Sequence, residues 1–203
     1  MRQTLIYLLI YVIILISPLA TQATTPNFEI IPRTQVGPIQ PHMTLDMINA
    51  LPQVTSAIPT QLKLPSGATY TGTHVKFANP NNTLFIRWKG KRSKSMSSII
   101  ITQADTDWVF PADLKIHDTL HHVTSRNQTA FTLIPIHPNV TLKGKVTSWN
   151  QGTIPDGLIG YFERTNTPNV KQINALRKKE ISSTSSLLST ITLRLSHIEI
   201  IMK

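Results

Sequence analysis

Three histidines raise the first chemical question. His117 and His121 stand four residues apart, and His122 follows directly. On a helix that spacing puts two imidazoles on one face, where they can share a divalent metal. A third ligand must come from elsewhere, because the chain has no cysteine and neither His belongs to an H-E-x-x-H arrangement. Asp105, Asp107 and Asp113, gathered around Trp108, could supply it or could work as acid and base. His117, however, falls just before the expected helix start, which takes it off the shared face. We read His117, His121 and His122 as surface residues and the three aspartates as solvated turn residues. No G-x-S-x-G elbow, phosphate-binding glycine loop or dinucleotide fingerprint occurs. Ser148 has no base within reach along the chain. The expectation is therefore no catalytic set, no metal and no cofactor. The alternative is a metal-dependent hydrolase built on His117, His121 and an acid from the Asp105–Asp113 stretch.

Charge offers a second kind of chemistry. The 203 residues carry a formal charge of +10, with clusters at Lys89, Lys91, Arg92 and Lys94 and at Arg177, Lys178 and Lys179. A basic surface favours anionic partners, among them lipid headgroups, glycolipids and acidic proteins. Lys89, Lys91, Arg92 and Lys94 are the expected surface for such a partner. Trp88, Trp149, Phe85 and Tyr70 beside them could stack single-stranded nucleic acid. Export speaks against that use, and alternating aromatics on strands are read as packing.

The elements that would position these residues repeat. A shift of 75 positions lays His42 on His117, Thr44 on Thr119 and Leu45 on Leu120, and repeats of this kind bear on architecture. Thr44 is a good N-cap, Leu45, Ile48 and Leu51 recur at helical spacing, and Pro52 stops the run. Asp118 or Thr119 caps a second helix with Leu120 and Val123 inward. Each helix precedes strand-like segments. Leu84, Ile86 and Trp88 alternate with Phe85 and Arg87, a β-branched run follows at Ile99–Ile101, and Gly144–Trp149 makes a later strand. In the last strand the inward positions are Ile191, Leu193 and Leu195, then Ile198 and Ile200. That change of parity predicts a β-bulge near Ser196-His197. Trp149 is expected to play in the second half the part of Trp88 in the first.

The N-terminus has a different character. Arg2, an apolar run from Leu5 to Ile16, Pro18 and the small-residue stretch Ala20–Ala23 describe a secretory signal. The run is short for a bilayer span of about 20 residues. Without cysteine, an exported chain must hold its core by packing alone, which suits a soluble periplasmic or secreted bacterial protein. Three N-x-T triplets, at Asn81, Asn127 and Asn139, arise easily by chance in a polar chain. The resulting division is residues 1–23 signal, 24–38 extended leader, 39–104 first repeat and 105–203 second repeat.

The second half carries a recognisable series: Leu114-Lys115-Ile116-His117-Asp118-Thr119-Leu120, then Asn127-Gln128-Thr129-Ala130-Phe131, then Gly144-Lys145-Val146-Thr147-Ser148-Trp149-Asn150-Gln151-Gly152. It resembles the signature of uncharacterised exported bacterial proteins with two copies of a short helix plus antiparallel sheet. Those units look like the ones in the β-lactamase-inhibitor protein and the small outer-membrane-assembly lipoprotein. Asp118 and Gln128 stand where that pattern has glycine, and Ala130 where it has proline. The resemblance implies an α+β fold of two tandem helix-plus-sheet repeats and a non-enzymatic binding or assembly module of the bacterial envelope. A basic protein associating with anionic membranes is a further alternative. A protein or anionic envelope component is the expected partner, with no nucleic acid and no membrane span after the signal.

Overall fold

The computed structural model describes residues 27–64, 69–90, 95–136, 143–166 and 180–203. The signal stretch, Lys91, Arg92 and Lys94, Asn139 and the basic run Arg177–Lys179 lie outside the described residues. Along the chain the elements are β1 (Ile30–Ile31), β2 (Gln35–Val36), α1 (Leu45–Asn49), β3 (Val54–Lys63), β4 (Thr69–Phe77), β5 (Thr83–Lys89), β6 (Ser95–Ile101), a 3-10 turn (Pro111–Asp113), α2 (Leu120–Asn127), β7 (Thr132–Ile136), β8 (Lys143–Ser148), β9 (Leu158–Arg164), β10 (Ile181–Ser182), a second 3-10 turn (Ser186–Leu188) and β11 (Leu193–Ile201). Among the described residues no helix is long and apolar enough to cross a membrane.

The expectation of an α+β protein with two helix-plus-sheet repeats is overturned. Nine strands form one antiparallel sheet in the order β10-β7-β8-β9-β11-β6-β5-β4-β3, beside the small β1–β2 ribbon. Among the described residues only two α-helices occur, of five and eight residues. Thr44 caps as read, and of Asp118 and Thr119 it is Thr119 that caps the second helix: the Thr44 and Thr119 side chains accept from the amides of Met47 and His122. The helices nevertheless dock differently. α1 rests on the edge strand β3, whereas α2 lies against β11 and the first 3-10 turn. Nor does the shifted pair of histidines share a conformation, since only His117 has a positive φ, of 74°. Trp88 sits half-buried on β5 and donates to Thr73, while Trp149 is buried just past β8 and donates to the Leu158 carbonyl. A few shared residue types spaced evenly along the chain had suggested a duplication; packing treats the two sites differently.

The sheet has two unlike faces. One carries Val75, Leu84, Ile86, Ile99, Ile101, Leu195, Ile198 and Ile200, and joins Ile48, Trp108, Val123 and Phe131 in the main core. Both helices and the residues around β1 and β2 cover it. On the opposite face the register lines up His74, Phe85, Ile100 and Glu199 across four strands. Among the described residues no helix lies there. Instead, β4 stays beside β5 only from Thr73 to Lys76 while it remains paired with β3 as far as Thr69. The outer part of the β3–β4 hairpin brings Leu62, Leu64 and Tyr70 onto Phe85 and Ile100. Gly72 permits this departure, because a Cβ there would stand 2.1 Å from the Ile86 carbonyl and 2.6 Å from the Phe85 ring.

Candidate functional site

The three sequence-predicted aspartates share one cleft, but the sequence-predicted histidines are not among its lining residues. His117 is exposed, and its amide donates to the Leu195 carbonyl. His121 and His122 are exposed on α2 with ring centroids 6.2 Å apart, and His122 stands 4.0 Å from Asp118. Among the described residues no three His, Asp or Glu side chains gather as metal ligands do. Asp105, Asp107 and Asp113 line a cleft of about 510 Å³ with Trp108, yet two of them have protein partners. Asp107 accepts from the side-chain amides of Asn79 and Asn82, and Asp113 pairs with Arg126 at 3.6 Å. Lys89 is exposed at the end of β5. Lys203 lies beside it, and this neighbouring amine holds the Lys203 ammonium below its usual range. Ser148 is exposed and caps the Asn150 amide.

A charged cluster that spacing did not reveal lies under the β3–β4 hairpin. Glu199 is buried on β11 and receives three donors: Arg87 at 2.5 Å, Ser98 at 2.6 Å and Tyr161 at 2.9 Å. Burial alone would push its carboxyl up. The Ser98 and Tyr161 hydrogen bonds and the Arg87 guanidinium outweigh that and hold it below the usual glutamate range. Burial and the adjacent Glu199 charge push the Tyr161 phenol far up, so it stays protonated and donates. The Tyr70 ring caps Arg87 at 4.2 Å from the guanidinium carbon. His197 stacks on Tyr161 at 4.3 Å. Ser196 gives its single proton to the Tyr161 carbonyl, so Nδ1 of His197 is the donor to Ser196. Perturbed, buried titratable groups often mark function. Here both oxygens of Glu199 are engaged by protein donors and the hairpin lies above, so the cluster reads as a latch on the fold.

The signature residues of the second half also meet, as a neutral hub. Asn127 is fully buried at the end of α2. Its amide donates to the Thr129 and Trp149 carbonyls at 2.8 and 2.9 Å, and its side-chain oxygen accepts from the Ile154 amide. Gly152 must be glycine because a Cβ there would lie 2.3 Å from the Asn127 oxygen. Phe131 and Trp149 pack at 5.0 Å. Both amide protons of Asn127 are committed within the fold. Gln128 occupies the left-handed region at φ 59°, where the resembled pattern has glycine. In the first signature stretch the left-handed residue is His117, one place before Asp118, and in the last the left-handed residues are Asn150 and Gln151.

A second cleft, of about 410 Å³, lies between α2 and the segment Ser183–Leu193. Leu120, Leu188, Ile191 and Leu193 give it an apolar side and His121 stands among its lining residues. Thr119, Ser183 and Ser185 each accept a backbone N–H, from His122, Phe131 and Leu187 respectively. Thr124 and Ser189 each donate to a backbone carbonyl, of Leu120 and Ser186. Hydrogen bonding within the fold thus sets which valence each hydroxyl has left to offer. Comparison of the chain with known protein families, with curated proteins and with solved structures finds no match.

Proposed function

We propose that this protein is an exported, non-enzymatic binding module of the bacterial envelope that receives its partner in the groove between α2 and Ser183–Leu193. One observation carries the reading. The chain's buried charged cluster is satisfied by its own side chains, whereas the groove is solvent-open, mixed polar and apolar, and of a size that suits a ligand segment. Export rests on the pattern of Arg2, Leu5–Ile16 and Ala20–Ala23. Among the described residues His117, His121 and the three aspartates form no group of metal ligands that would favour the hydrolase alternative.

The test is site-specific photo-cross-linking in the envelope of expressing cells. A cross-linker at His121, in the groove, is expected to yield a discrete adduct. One at Ile58, exposed on the edge strand, is the control and is expected to yield none. Equal labelling from both positions, or none from His121, would discard the groove as the binding surface.

A second reading has its own observation. Lys203 and Lys89 are neighbours at one end of β5, and a like-charged pair favours an anion between them. Salt-sensitive retention on anionic vesicles, lost in Lys89→Ser, would favour the basic end over the groove.

A further inference from the structure

Resting on the groove reading above, we infer that the groove binds a neutral saccharide chain. Three features of its walls carry this. First, the hydroxyls offer both hydrogen-bond polarities. Thr119, Ser183 and Ser185 accept backbone N–H groups and so have their protons left to donate, and among the described residues none of the three has an acceptor. Thr124 and Ser189 have donated their protons and present lone pairs. Sugar hydroxyls, each a donor and an acceptor, answer such a mixed set, and acetamido groups do so as well. Second, among the described residues that line it there is no carboxylate, ammonium or guanidinium. An anionic ligand would lose water without gaining a charge partner. Third, Leu120, Leu188, Ile191 and Leu193 provide apolar surface against which the C–H face of a sugar ring can lie.

An extended peptide fits less well. Strand addition needs an open sheet edge, and β10, at that end of the sheet, has only two residues. A purely apolar ligand would leave the Thr119 and Ser185 donors without partners.

The experiment measures binding of purified protein to the N-acetylglucosamine tetrasaccharide and to maltotetraose by calorimetry or ligand-observed NMR, with inorganic phosphate and a tetra-aspartate peptide as anionic probes. Two variants accompany the parent chain. Thr119→Asp keeps an N-cap acceptor but removes the donor proton, and Ser189→Trp fills the groove from an exposed position. At least one neutral tetrasaccharide is expected to bind. Affinity should fall about tenfold in Thr119→Asp, and binding should vanish in Ser189→Trp while circular dichroism and thermal melting stay unchanged. Saccharide binding that survives Ser189→Trp, binding of the anionic probes alone, or no binding of either saccharide would overturn the inference. Cross-linking from His121 persisting in that last case would leave the groove as a binding surface and remove only the saccharide.

Discussion

The two polar regions of this protein handle the same problem in opposite ways. Around Glu199, the register of β5, β6, β9 and β11 brings an arginine, a serine and a tyrosine to one carboxylate, and a hairpin lies above them. In the groove beside α2, five hydroxyls each make one bond inside the fold and keep another valence uncommitted. The first region is self-sufficient and its loss is felt as stability. The second has hydrogen-bonding capacity left over, and under the proposed function its loss is felt as binding. Polar residues alone do not announce a site; what matters is whether the protein itself uses their capacity.

That contrast can be broken most forcefully at the charged cluster. Arg87→Met leaves Glu199 buried without its cation and should lower unfolding free energy by about 3 kcal/mol, read from urea denaturation. A loss under 1 kcal/mol would mean the cluster is wet and its closed character illusory. Asn127→Ala, at the neutral hub, strands two carbonyls and one amide and should cost about 2 kcal/mol.

Acid sharpens the comparison further. The folded state holds Glu199 below the ordinary glutamate value of 4.5. The unfolded chain therefore binds the proton more readily. The contribution is fully present above that value and is lost as pH falls through it toward the lower folded one. Stability of the parent chain should decline through this acidic window, and Glu199→Gln should flatten that part of the curve. Equal acid sensitivity in both proteins would assign the decline to other carboxylates. The smallest effect belongs to the groove. Thr184→Ala, at an exposed rim position, should move the melting midpoint by less than about 0.5 kcal/mol in stability. A larger change would show the rim to be part of the scaffold.

Much local structure was legible along the chain. Thr44 and Thr119 announced helix starts because a side-chain oxygen there can accept an orphan amide. The parity change after Leu195 announced the bulge that appears between Leu195 and His197. The inward set Leu193, Leu195, Ile198 and Ile200 follows from the same alternation. Other inferences failed because they crossed from pattern to packing. His42 and His117 match in type but not in backbone, and α1 and α2 match in their caps but not in what they lie on. α2 begins at Leu120, so His117 lies before the helix, where the reading of the spacing had put it.

Residue order by itself determined where strands and helices begin, which faces are apolar, and that the core must hold without disulfides. Those properties depend on neighbours within a few positions. Only the tertiary structure decided that Arg87 and Glu199, 112 residues apart, share one charge centre, that a hairpin turns back over it at Gly72, and that the hydroxyls of α2 face those of Ser183–Ser189. Such meetings are set by strand order and register across the whole sheet, which no local period encodes.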